Sequence, residues 1–307
     1  MSPIRWMRAA RRLRKLAAVT LAAALAPACS AVSVSELPPA PNPAQAIHWE
    51  IQRGGRLVGE LFGTIHSEDP RVLNLPARVR RGFDAADTVV LELDLSRADV
   101  FLTLSGMLYG DEGQLRAIAG HALARRAIAA LAEYGIPELL ASRMKPWAVA
   151  TTLSLPPAKT GRFLDQDLAA RAAAAGKTVV GLESVAEQLG AMNALADADQ
   201  TELLRETLDD IAEVRRLHEA MVEVWLAGDL DRLHAIQAES IGEDPSGAGG
   251  RFIEHLLDRR NVLMLERLLP LLNSGRVFVA VGALHLPGPT GLLQGLRERG
   301  YDLHPAR

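Results

Sequence analysis

Residues 276–285 read RVFVAVGALH. The run is apolar, rich in valine, and too short for a helix of ordinary length. It stops at a glycine, so it predicts a buried strand of the kind found inside parallel sheets. A long helical pattern over residues 252–272 precedes it. The same alternation recurs upstream. Residues 47–53 and 56–65 flank Gly54-Gly55 and predict a β-hairpin. Residues 88–93 (TVVLEL) follow a helical segment at 77–86. Residues 178–182 (TVVGL) follow the alanine-rich helix 165–175 and its Gly176 stop. Strands alternating with helices predict an α/β fold: a mixed β-sheet flanked by helices, with some parallel neighbours. Residues 96–163 read mostly as helix, as in HALARRAIAALAEY at 121–134, and residues 199–240 read as helix again. There Leu203, Leu204, Leu208 and Ile211 supply a buried stripe, and 242–250 is a glycine-rich break. These stretches predict a helical lobe inserted between the strand clusters, within a single domain over residues 46–307.

The ends of the strands carry the chemistry. Residues 56–66 finish Gly63-Thr64-Ile65-His66, and residues 276–285 finish Gly282-Ala283-Leu284-His285. Two further strands run from Thr-Val-Val into Glu92 and Glu183. In α/β sheets ligands collect at the carboxyl ends of strands. A glycine there admits a close backbone approach that a Cβ would block, and three residues later an imidazole can enter the crevice. Two imidazoles plus carboxylates suit a divalent ion such as Mn²⁺, Co²⁺ or Zn²⁺. The plain alternative is a set of structural histidines and solvated or capping carboxylates. His218 and His234 read as residues of polar helix faces, and His218-Glu219 lacks the second histidine of H-E-x-x-H.

Composition narrows the classes. The chain has 307 residues, 49% hydrophobic and 23% charged, which excludes a disordered chain. One cysteine, Cys29, rules out an intrachain disulfide and a cysteine-based metal site. No G-x-S-x-G nucleophile elbow and no phosphate-cradling P-loop occurs. Arg5, Arg8, Arg11, Arg12, Arg14 and Lys15 stand in the first 28 residues without an acid among them, so the remainder is more acidic than the net charge of −3 states. Nucleic-acid binding is therefore not expected. These cations lead into the apolar run LAAVTLAAAL at 16–25 and then Ala26-Pro27-Ala28. Residues 1–28 read as an export signal, since ten helical residues rise only ~15 Å against a ~30 Å hydrocarbon core. Cys29 follows directly, as in a bacterial lipoprotein signal, with Pro27 and the early Leu25 departing from the usual pattern. Residues 29–45, with four prolines after Cys29, read as an extended tether. The expected location is the bacterial envelope: lipid-anchored at Cys29 on the periplasmic side of a membrane, or cleaved and released to the periplasm.

The ordered set LFGTIH (61–66), VVLELD (89–94), KPW (145–147), VVGLES with Gln188, RRN (259–261) and VAVGALHLPGPTGLLQGLRERGY (279–301) resembles the TraB/PrgY/GumN family, related to the Tiki membrane-anchored metalloproteases. The resemblance covers residues 46–303. It implies a mixed α/β fold with a helical lobe and an active centre of His66, His285 and Glu92, with Glu183 as a second glutamate. It implies that Arg260 and Asn261 lie near the site, their alternative being a solvated helix face. It also implies a role for Asp165, whose position equally suits a helix N-cap.

The function expected from both lines is a divalent-metal-dependent hydrolase acting on a peptide or protein substrate. His66, His285 and one glutamate would hold the metal, the other glutamate would act as general base, and Arg260 would stabilise the oxyanion. Gly63 and Gly282 would make room for the site. The rival reading is an envelope lipoprotein that binds or sequesters a peptide without cleaving it.

Overall fold

The computed structural model describes residues 46–94, 100–241 and 247–306. The export signal, Cys29 and the proline-rich tether lie outside the described residues, as does part of the 242–250 break. Six strands form one mixed sheet: β1 (His48–Arg53), β2 (Arg56–Thr64), β3 (Thr88–Leu93), β4 (Thr178–Glu183), β5 (Val277–Gly282) and β6 (Asp302–Pro305). Their order is β4-β3-β5-β2-β1-β6. The α/β fold anticipated above is the one observed.

The hairpin β1–β2 turns through Gly54 and Gly55, whose φ angles of 57° and 76° place both in the left-handed region such a turn requires. β1 is antiparallel to β2 and to β6, whereas β2 with β5, β5 with β3, and β3 with β4 are parallel. The carboxyl ends of β2, β3, β4 and β5 therefore share one edge. Parallel strands buried on both faces need continuous apolar side chains. Val277, Phe278, Val279, Ala280 and Val281 of β5 are all buried, as are Val89, Val90 and Leu91 of β3.

The core has two parts. One cluster covers the sheet; the other holds the helical lobe together around Trp147 and Leu153, and Leu284 packs against both. The Lys145-Pro146-Trp147 motif opens the helix Pro146–Leu153, with proline at a position that needs no amide hydrogen. Lys145 Nζ donates to the Gly106 carbonyl at 2.9 Å and to Asn193 Oδ1 at 2.8 Å, and Trp147 Nε1 donates to the same Asn193 oxygen at 3.0 Å. Three helical segments of the lobe are thereby tied at one point.

Two helical readings are corrected. Residues 252–272 are not one helix: Ala248–Ile253 passes into a π-helical turn, Glu254–Asp258, and then into Arg259–Leu271. Residues 199–240 are three helices, Asp197–Asp209, Ile211–Leu226 and Leu230–Ile241. The second of these breaks falls at Gly228, where φ is 72°. A 3.6-residue pattern carries across such interruptions because the apolar face resumes beyond each one.

Candidate functional site

β2 and β5 pair with Gly63 opposite Val281 and Thr64 opposite Gly282. The two G-x-x-H segments, distant in sequence, thus leave neighbouring strands at the same edge. A Cβ on Gly63 would stand 2.9 Å from both the Cα and the Cβ of Ala283, so Gly63 lets the turn Ala283–His285 settle against β2. A Cβ on Gly282 would stand 3.0 Å from Glu92 Oε1. The Gly282 amide instead donates to that oxygen at 2.6 Å.

Glu92 and Glu183 end adjacent strands, with Leu93 opposite Glu183 in the β3–β4 register. Arg260, buried just beyond the π-turn, lies between them. Its Nη2 donates to Glu92 Oε2 and to Glu183 Oε2, both at 2.7 Å, and its Nε donates to the Glu183 carboxylate at 3.0 Å. Nη1 donates to the Leu256 carbonyl of the π-turn at 2.9 Å. Gln188 Nε2 adds a hydrogen bond to Glu92 Oε2 at 3.2 Å. The Glu183 side chain is 1% exposed and that of Glu92 is 11% exposed, so Glu92 is the less buried of the two.

Burial alone would raise both carboxyl groups. At Glu92 it is outweighed by His285, by the Arg260 cation and by the Gly282 amide, which hold the group at about 2. At Glu183 burial prevails over the bonds from Arg260, and the neighbouring Glu92 charge adds to it, so this group is shifted upward. The two carboxyls are pushed apart, an arrangement found where acid and base roles are divided. Arg260 is displaced to higher pKa despite its burial, because Glu92 and Glu183 both favour its charge.

His285 is buried, and its Nδ1 faces Asn261 Oδ1 at 2.6 Å. With that oxygen accepting from Nδ1–H, Nε2 keeps its lone pair and points toward Glu92 Oε1 at 3.6 Å. Burial, with the Arg260 charge added and Glu92 opposing, lowers His285 to about 4. In the tautomer that donates Nδ1–H to Asn261, the imidazole turns a lone pair toward the Glu92 carboxylate oxygen.

His66 stands beyond the end of β2 and stacks on Phe163, ring centroids 3.9 Å apart and planes 13° apart. Its Nδ1 lies 3.9 Å from Asp165 Oδ2, while Asp165 Oδ1 accepts from the Thr64 hydroxyl at 2.7 Å. Asp165 is not the N-cap that its position suggested. Phe163 holds that place, and Asp165 lies within the first turn of Leu164–Ala174 with its carboxylate turned to Thr64 and His66. His66 Nε2 is buried and, among the described residues, has no hydrogen-bond partner. His66 and His285 line one cavity with Thr64 and Gly282.

His218 corrects the reading of a polar helix face. It is buried, and its Nε2 donates to the His66 carbonyl at 3.1 Å. Burial lowers its pKa. Its helical spacing with Val214, Met221, Val222 and Trp225, all buried, was the available signal.

The candidate residues thus fall into a polar cluster of Glu92, Glu183, Gln188, Arg260, Asn261 and His285, and a second group around His66 with Thr64, Phe163, Asp165 and His218. Among the described residues no three His, Cys, Asp or Glu side chains converge as a metal-holding group. The donor chemistry nevertheless suits a divalent ion: two neutral-capable imidazoles, one ionised carboxylate, and a buried Nε2 without a partner. Arg260 was expected beside the oxyanion; here its guanidinium is engaged by the two glutamates and the Leu256 carbonyl.

The chain is 27% identical over 253 residues to "Uncharacterized protein YbaP" of Shigella flexneri, covering 81% of this chain and 91% of that protein. It is 28% identical over 242 residues to the protein of the same name in Escherichia coli K12, covering 77% and 87%. No solved structure matches. The family model described as TraB/PrgY/gumN matches residues 47–305, which takes in the whole sheet and both histidine-bearing strand ends, and the chain belongs to that family.

Proposed function

We propose that the protein is a divalent-metal-dependent hydrolase acting on a peptide, exported and lipid-anchored at Cys29 in the bacterial cell envelope. The observation that carries this reading is the facing pair of His285 Nε2 and ionised Glu92, with the partnerless Nε2 of His66 on the wall of the same cavity. In this reading His66, His285 and Glu92 hold the ion, which is Mn²⁺, Co²⁺ or Zn²⁺. When bound, such an ion polarises a scissile carbonyl and lowers the pKa of water toward neutrality. Asn261 fixes the tautomer of His285, and Asp165 with Phe163 fixes the ring of His66. Arg260 acts through Glu92, holding its carboxylate in place and favouring its charge, and Glu183 holds Arg260. Glu183 is thus a positioning residue rather than the base.

Metal analysis of the purified protein, followed by a peptide-library digest with added Mn²⁺, Co²⁺ or Zn²⁺, tests this. Stoichiometric metal and metal-dependent cleavage, both lost in Glu92→Gln, are expected. Absence of metal and of cleavage would overturn it. That no three-residue group converges among the described residues favours a second reading, a protein that binds or sequesters a peptide without turnover. Saturable peptide binding with no cleavage under any of the three metals would establish that reading instead. The location is tested by mass spectrometry of the native N-terminus: lipidated Cys29 is expected, and a retained Met1 would refute both the export signal and the anchor.

A further inference from the structure

Apart from Thr64, the cavity that holds His66 and His285 is lined by apolar residues and glycine. Met221 and Leu233 reach it from the helices Ile211–Leu226 and Leu230–Ile241. Ile253, Leu256 and Leu257 reach it from the end of the helix Ala248–Ile253 and from the π-turn. Leu284 lies between the site glycine Gly282 and His285.

The π-turn explains how the wall is made. In an α-helix, consecutive residues point about 100° apart. A π-turn holds an extra residue, and such turns concentrate at functional sites. Here it sets Leu256 and Leu257, neighbours in sequence, on one cavity wall. The same turn directs the Leu256 carbonyl to Arg260 Nη1 at 2.9 Å. The apolar wall and the polar cluster are therefore fixed by one local distortion. Among the described residues no ionisable side chain besides the two histidines lines the cavity, so a charged side chain laid against its leucines would be desolvated with no partner on that wall.

We infer that this wall is a specificity pocket, and that it receives an aliphatic side chain of the peptide, next to the group that His66 and His285 meet. The inference rests on the hydrolase reading above for its reaction but not for its binding. Its occupant follows from continuity: the cavity opens onto the two imidazoles, so a residue placed there belongs to the chain being presented to them. Leucine and methionine fit a wall of leucines and a flexible methionine. Lysine, arginine, aspartate and glutamate do not.

Two arms test the proposal. In the first, fluorogenic peptides that vary at the positions flanking cleavage are digested by the full protein with Mn²⁺. Leucine or methionine at one flanking position should be favoured at least ~10-fold over alanine in kcat/KM, the discrimination expected when methylenes are lost from an apolar pocket. Met221→Trp, which fills the pocket, should reverse that preference toward alanine. In the second, calorimetry measures binding of a reduced-bond peptide pair, one carrying leucine and one carrying alanine, to the protein without metal. The leucine peptide should bind ~10-fold tighter, and Met221→Trp should abolish the difference. If no peptide is cleaved but the binding preference stands, the hydrolase reading fails and the pocket remains. If the wild type shows no aliphatic preference in the binding arm, or if a normally melting Met221→Trp retains it, the pocket is refuted.

Discussion

Arg260 is the point at which the polar cluster is most exposed to a single substitution. Arg260→Met keeps much of the side chain's apolar stem while removing the cation that both Glu92 and Glu183 accept from. Two buried carboxylates are then left facing each other. Breaking a buried pair in this way costs about 3–5 kcal/mol. The Glu92 titration gives a second route to the magnitude. Its carboxyl is lowered from 4.5 to about 2. At ~1.4 kcal/mol per tenfold change in proton affinity this is about 3 kcal/mol, shared among His285, Arg260 and the Gly282 amide. A depressed carboxyl stabilises the fold fully above its unfolded value of 4.5, and that stabilisation is lost as pH falls toward 2. The variant lacks a permanent cation of the cluster, so its Glu92 takes up a proton at higher pH. Urea denaturation in chelator at pH 7, 5 and 3.5 should therefore show a gap between wild type and Arg260→Met of ~3 kcal/mol or more at pH 7. The gap should narrow at pH 3.5. Adding Glu183→Gln to the variant should recover part of the loss at pH 7, because one of the two unpaired charges is gone. A gap below ~1 kcal/mol at pH 7, or one that does not change with pH, would refute the account of Arg260 as the neutralising bridge.

Three further outcomes follow from the same geometry. His285 is lowered from 6.5 to about 4, so the unfolded chain binds its proton first as pH falls; metal-free wild type should lose about 3 kcal/mol between pH 6.5 and 4, and a urea titration of His285→Gln should lack that loss. Asn261→Ala frees Nδ1 of His285, and calorimetric titration with Zn²⁺ should show ~10–100-fold weaker binding with little change in melting temperature. Gly63→Ala places a Cβ against the backbone of Ala283 and should cost ~1–3 kcal/mol in a urea titration, whereas Gly282→Ala meets a side-chain oxygen of Glu92; the second variant should be less destabilised than the first yet lose metal affinity by calorimetry.

Much of this architecture is legible in the chain because it is local. The four parallel strands announce themselves by short apolar runs with a glycine or glutamate at or near the end, whereas β6 (DLHP) carries no such run and is not anticipated by the sequence; the parallel pairing of β2 with β5 brings the two G-x-x-H ends together. The polar cluster is not local. Arg260 reaches carboxylates 77 and 168 residues away, and nothing in the residues around it distinguishes that use from a solvated helix face. The π-turn is hidden for a related reason: one extra residue leaves the apolar count of a helix almost unchanged while redirecting the turn that carries it. His218 was hidden by its type, since a histidine weighs little in an apolar stripe although its neighbours at helical spacing are all buried. The repeated G-x-x-H device shows the limit most clearly. The two glycines look equivalent in sequence, and both leave room where a Cβ would collide. Yet Gly63 yields to the backbone of Ala283 and so sets where His285 stands, whereas Gly282 yields to the side chain of Glu92 and so sets what His285 faces. The first glycine fixes position and the second fixes charge. The proposed site of one histidine pair and one carboxylate needs both, and only the packed structure separates the two roles.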